Sequence, residues 1–356
     1  MDSFASAARV LAERVRYSKD MLRPKFEGDS ASTDKIRNQF FHDGLLVSHS
    51  VTPDLANRLG LVCQRLQIPE NAVEAFIYAS PDIQAECFSG SVEKCVVRFS
   101  STLVDLLNGD EFEFVVGHEL GHFLLNHGVA RLENQKISIE SSIENRAQEI
   151  SADRLGLVAC HSLEVAIRAM MKTVSGLSSE HLRFDVGAFV SQLRSTPDTI
   201  QVESQFSSHP SILVRCRALL WFSLSDVSSR GVEQFSIDQL AKVDSRVEKD
   251  MDKFVDGPAK RLIEDAKENL AIWVAANYAV QDGVFNKNEQ KKFSDMFGEL
   301  VLKKLKIFLS DIPASEVQET VYERVRAARE DLEQLIPSGL EDSVREIQKM
   351  IEVKLA

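Results

Sequence analysis

Along most of this chain the apolar residues recur every three to four positions, the spacing of helices with one buried face, and a shorter repeat interrupts it in one region. Residues 1–50 read as an N-terminal segment of one or two amphipathic helices containing a polar stretch, Gly28-Asp-Ser-Ala-Ser-Thr-Asp34. Thr52-Pro-Asp-Leu opens the next helix, with Thr as its cap and Pro in its first turn. Ala75–Ala79 and Cys95–Phe99 are then rich in aromatic and β-branched residues, and Ser89-Gly90-Ser91 marks a turn between them, which predicts a small sheet. Helical spacing resumes near 108–127, 140–160, 162–175 and 209–224. It continues in the tail near 257–280, 287–309, 314–335 and 339–355, with breaks at Asp282-Gly283, Pro313 and Pro337-Ser-Gly339. The expected fold class is α+β, predominantly α-helical, with no internal repeat.

Charge adds a division that the apolar pattern does not show. Residues 231–356 carry 19 basic and 25 acidic side chains, 44 of 126, against 52 of 230 before them, and all eight histidines lie in the first part. The loop-like run Ser225 to Gly231 suits a boundary. Three parts follow: an N-terminal helical segment at 1–50, a mixed domain at 51–228 that holds any histidine chemistry, and an all-α C-terminal domain at 229–356.

With 44 % apolar and 27 % charged residues the chain is of globular composition. A net charge of -12 argues against nucleic acid or an anionic membrane surface as partner, since both attract clustered Lys and Arg. The best uncharged apolar run, Ala271–Val280, is ten residues long and includes Asn277, whereas a spanning helix needs about 20, so no membrane insertion is expected. Met1–Arg16 interleaves Arg9, Glu13, Arg14 and Arg16 with its apolar residues and so lacks the core of a secretory signal; the expected compartment is the cytoplasm. The five cysteines form no C-x-x-C and read as reduced thiols.

The chemistry concentrates in His118-Glu119-Leu120-Gly121-His122, an H-E-x-x-H pattern. Four residues of helix advance about 400°, so the two imidazoles point the same way, one turn apart, and can reach one metal ion. Glu119 lies about 60° from His122 by the same arithmetic, the place of a general base acting on a metal-bound water. His127 falls about 180° from His118 on a continuous helix and is excluded as a ligand. A catalytic zinc site takes three protein ligands. Glu149 and Asp153, four apart on a second helical stretch, provide the rest: Glu149 completes the set, and Asp153 accepts the second N–H of a ligand histidine. Gly117 and Gly121 each cost about 1 kcal/mol relative to Ala inside a helix, which points to a close approach by another element.

Together with Ser208-His209-Pro210 followed by Arg215, and with Ala85-Glu-Cys-Phe-Ser-Gly90 leading into Val96–Leu107, these motifs resemble the zinc metallopeptidases of the CAAX prenyl protease and HtpX-like family, within the gluzincin group. The resemblance covers roughly residues 50–225. It departs from the family at Glu86-Cys87, where Asn-Ala is frequent, and in lacking membrane helices. It implies a zincin-type domain with the sheet beside the active-site helix, one zinc ion on His118, His122 and Glu149, Glu119 as base, and a protein or peptide substrate. His209 is then the candidate oxyanion donor, or alternatively an inhibitory ligand, with Arg215 in support. A substrate strand is expected beside Cys87, Phe88, Ser89 and Gly90. The alternative to a zinc endopeptidase is a latent or non-catalytic metal-binding protein whose helical tail recruits partners.

In that tail, Tyr278 to Phe293 resembles the Asp-Gly turn of TerB-like helical domains. Either a capped turn or a cation site at Asp282 and Glu289 accounts for it, and the domain is expected to be regulatory or to bind a protein partner. Trp273, Phe293, Phe297, Leu300 and Phe308 are expected in its core.

Overall fold

A computed structural model describes residues 3–20, 30–89, 94–127, 138–192, 210–225, 237–281 and 285–355. Two compact units emerge, one of residues 1–136, 143–200 and 207–255, the other of residues 137–142, 201–206 and 256–356.

The first unit runs α1 (Ser3–Val15), α2 (Ser30–Asp43), β1 (Leu45–Leu46), α3 (Pro53–Arg65), β2 (Val73–Tyr78), β3 (Ala85–Ser89), β4 (Cys95–Ser100) and α4 (Ser101–Leu106). It continues with α5 (Gly109–Leu124), α6 (Ile139–Cys160), α7 (Leu163–Ser175), α8 (Val186–Ser191), α9 (Ile212–Ser223) and α10 (Ile237–Met251). The two strands read from composition are β2 and β4, which pair in parallel, Ala75 opposite Val97. The chain between them forms β3, antiparallel to β4 with Cys87 opposite Val97, so the sheet order is β1-β2-β4-β3 and β3 lies at an edge. Val97, Phe99, Phe112, Val116, Leu120 and Leu155 fill the core between the sheet and the helices.

Two devices set α5 in place. Asn108 and Glu111 form a reciprocal cap at its start, each side chain accepting the other's backbone N–H at 2.9 Å. Lys172 of α7 then donates to Glu111 Oε2 at 2.7 Å, which ties that cap to the neighbouring helix. At α3 the helix starts where Pro53 predicts, but the Thr52 hydroxyl turns back to accept from the Ser48 N–H at 3.0 Å and does not cap it.

Gly117 and Gly121 are where α5 meets α6. A Cβ on Gly117 would lie 2.3 Å from Ala159 Cβ and 3.1 Å from Gly156 Cα, and one on Gly121 would meet Ala152 Cα at 3.2 Å. Gly117→Ala is therefore expected to destabilise by about 1–3 kcal/mol in chemical denaturation through overpacking. At an open helix position the same change stabilises by about 1 kcal/mol, so the sign of the measured change decides.

The charge shift near residue 230 and the packing boundary at 255/256 are different features. Helix α10 is rich in charge, yet it belongs to the first unit because Asp244 is drawn into a buried pair with Arg154, Oδ1 to Nη2 at 2.6 Å. The remaining helices, α11 (Gly257–Ala279), α12 (Lys287–Phe297), α13 (Glu299–Ser310), α14 (Val317–Leu335) and α15 (Leu340–Leu355), make the second unit around Leu270, Phe293, Val321, Leu332 and Ile351. The single helix expected over 287–309 is broken at Gly298, whose φ of +89° ends α12 and starts α13. Glu289 forms a reciprocal cap with Asn286, in keeping with a capped turn, while Asp282 lies outside the described residues. Phe293 is in the core as expected, and Trp273, Phe297 and Phe308 pack against it, but Leu300 is 68 % exposed because it falls on the outer side of the first turn of α13. Among the described residues no helix is long and apolar enough to cross a membrane.

Candidate metal centre

His118 and His122 stand one turn apart on α5 with their Nε2 atoms 3.2 Å from each other. Glu149, brought over by α6, places Oε1 3.4 Å from His122 Nε2 and Oε2 3.6 Å from His118 Nε2. A tetrahedral zinc ion with bonds of about 2.0–2.1 Å holds its ligand atoms about 3.3–3.4 Å apart, and the three separations bracket that edge. Two ring nitrogens and a carboxylate aimed at one point repel one another unless a cation or shared protons lie between them. The donor set thus fits zinc, with His118, His122 and Glu149 able to hold it.

The groups behind these three are ionic. Asp153, one turn after Glu149, faces His118 Nδ1 at 3.0 Å, so that ring can donate its N–H outward and keep the Nε2 lone pair inward. Arg215 of α9 donates from Nε and Nη2 to Asp153 at 2.8 and 2.5 Å, and Nη1 lies 3.1 Å from Glu149 Oε2. Burial pushes the Glu149 carboxyl up, but Arg215 and the two imidazoles outweigh it and hold Glu149 well below the usual carboxylate range. The same contest leaves Asp153 lowered and Arg215 raised. Arg215 is fully engaged with carboxylates, so its contacts are with the ligand's surroundings and with the ligand itself.

Glu119 is on the same helix, next to the ligand line, and hydrogen-bonds none of these groups. Burial raises its carboxyl above the ordinary value, with His118 and His122 opposing. Cys87, Phe88 and Ser89 lie on β3, the edge strand, which packs beside α5. The Cys87 thiol is held well above its ordinary value by a hydrogen bond with Cys95 and by burial, so it stays a thiol. His209 and Gly90 lie outside the described residues.

One residue is placed differently from expectation. Helix α5 ends at Leu124, and Asn126 turns the chain with φ of +61°, so His127 is not carried round a continuous helix to its far side. Its Nδ1 comes within 2.9 Å of His122 Nδ1. His127 remains outside the ligand cluster and stands directly behind one of its members.

The model of peptidase family M48 matches residues 50–144 and 137–221, the stretch that supplies both ligand helices and Arg215. Residues 50–221 are similar to peptidase family M48. The chain is 25 % identical over 232 residues to Plastoglobule-localized metallopeptidase 48, chloroplastic, of Arabidopsis thaliana, covering 58 % of this chain and 65 % of that protein. It is 28 % identical over 151 residues to Metalloprotease YcaL of Escherichia coli (strain K12), covering 38 % of this chain and 56 % of that protein. It therefore spans less than two thirds of the length of either relative. The matched residues begin after α1 and α2 and end before α10 and before residues 256–356 of the second unit.

Proposed function

We propose that this chain is a zinc-dependent endopeptidase, with zinc held by His118, His122 and Glu149. The observation that carries the reading is the convergence of two imidazole Nε2 atoms, 3.2 Å apart, on the Glu149 carboxylate, whose Oε1 and Oε2 lie 3.4 Å from His122 and 3.6 Å from His118, spacings close to the ligand–ligand edge of a tetrahedral zinc site. When bound, zinc supplies Lewis acidity and brings the pKa of a water to about 7. Glu119 takes a proton from the attacking water and returns it to the leaving amine, and its raised pKa keeps it suited to both transfers. Asp153 and Arg215 hold His118 and Glu149 in orientation.

The substrate is a protein or peptide whose backbone adds to β3. Every other residue of an edge strand turns its N–H and C=O away from the sheet, and β3 presents such an edge beside the helix that carries Glu119. His209 is assigned to the developing oxyanion. His209→Ala is expected to lower kcat strongly with zinc content unchanged; a rise in activity would assign it instead to inhibition. The second unit is read as regulatory or partner-binding, supported by Leu300 and Ile307, seven residues apart on α13 and 68 % and 55 % exposed.

The test compares new peptide termini, by mass spectrometry, in a native lysate treated with zinc-loaded protein, with protein stripped by a chelator, and with stripped protein reloaded with zinc. Termini are expected with the first and third samples alone. Zinc bound at one ion per chain without new termini would overturn the peptidase reading in favour of a non-catalytic metal-binding protein.

A further inference from the structure

The outer nitrogens of the two ligand imidazoles meet different partners. His118 Nδ1 faces Asp153, within the matched residues. His122 Nδ1 faces His127 Nδ1 at 2.9 Å, and His127 Nε2 lies 3.0 Å from Asp20 Oδ2. Asp20 comes from the segment that follows α1, outside the matched residues. That segment is pinned beside the ligand helices: the Asp20 N–H donates to the Tyr17 carbonyl at 2.9 Å, and the Tyr17 N–H donates to Ser151 Oγ of α6 at 3.0 Å. Arg154 of α6 donates to the Val15 carbonyl at 3.1 Å. The side chains of His127 and Asp20 are 3 % and 1 % exposed.

We propose that Asp20 and His127 are positioning residues for His122, a carboxylate–imidazole–imidazole chain that directs the His122 Nε2 lone pair at the metal. The inference rests on the zinc reading above. A neutral imidazole carries one N–H and one lone-pair nitrogen, and His127 has one partner on each side, Asp20 at Nε2 and His122 at Nδ1. A carboxylate only accepts, so that N–H belongs on Nε2, facing Asp20. His127 Nδ1 then holds a lone pair and accepts the N–H on His122 Nδ1. His122 Nε2 is left without a proton, the state a metal ligand requires. In the reverse polarity the proton would sit on Nε2 and block ligation.

The choice of Asp at position 20 is poor for stability alone. Among the described residues its Oδ1 has no hydrogen-bond partner, and buried charges with incomplete partners can often be replaced by apolar groups at no loss. A strong acceptor at the end of the chain explains why a carboxylate stands there.

The test measures zinc dissociation constants by chelator competition on the full chain, with the melting temperature of the metal-free protein recorded beside each value. His127→Leu is expected to raise the Kd about 10–100-fold, the range for partners of ligand histidines. His127→Gln, whose amide oxygen still accepts the His122 N–H, is expected to recover most of that loss. Asp20→Asn, a weaker neutral acceptor, is expected to raise the Kd roughly threefold or more without lowering the melting temperature. Should His127→Leu fail to fold, the Gln and Asn variants decide. A Kd unchanged in both Asp20→Asn and His127→Leu, or a fall in melting temperature alone, overturns the positioning role. A wild type that binds no zinc, or binding that survives His118→Ala, instead overturns the zinc reading itself.

Discussion

Glu119→Gln is expected to lower kcat/KM by about 10²–10⁴-fold while zinc content stays at one ion per chain, the range for losing a general acid–base group. The amide has the shape of the carboxylate but cannot take a proton from water. Glu119 has no hydrogen bond in the cluster formed by His118, His122, Glu149, Asp153 and Arg215, so the change leaves the ligand geometry intact. The measurement pairs peptide cleavage rates, on a substrate drawn from the lysate experiment, with metal analysis of the same preparation. Activity within tenfold of wild type would remove Glu119 from the chemistry, and loss of zinc from the variant would show that it also supports the metal.

Arg215→Leu is expected to cost about 3–5 kcal/mol of stability in the metal-free protein, the range for breaking a buried ionic network by removing one partner. The guanidinium bonds to Asp153, whose side chain is 1 % exposed, and to Glu149, at 8 %. Without it two carboxylates remain buried together with the imidazoles as their nearest partners. Zinc restores positive charge at Glu149, so its addition is expected to recover part of the loss. Arg215→Lys should fall between the two, because an ammonium cannot reproduce the forked contact with Asp153. Denaturant titrations with and without zinc check the sign and the rescue. A loss under about 1 kcal/mol in the metal-free protein would mean that water already screens the pair.

Several site features were legible in the sequence because they depend on local geometry. The facing of His118 and His122 follows from the helix repeat over four residues, and Glu149 and Asp153 follow in the same way on α6. Gly117 and Gly121 signalled a close approach, but which element approached could not be read from them; it is α6, at Ala159, Gly156 and Ala152. The arithmetic that places His122 does not place His127, because α5 stops at Leu124 and Asn126 takes a left-handed conformation. Asp20 carried no signal at all: it lies 107 residues from the histidine it meets.

The sequence by itself determined most of the long helices, the two strands rich in β-branched and aromatic residues, and the donor types of the candidate metal centre, since each is written in the spacing of residues within one or two turns. Tertiary structure alone decided that β3 is the sheet's edge beside α5, that α10 packs with the first unit through Asp244, that Gly298 divides the expected long helix, and that Asp20 reaches His127. Spacing encodes the angle of a side chain about its own axis. Which axes meet depends on chain reversals and on burial summed over the whole unit, and no single window of sequence holds that information.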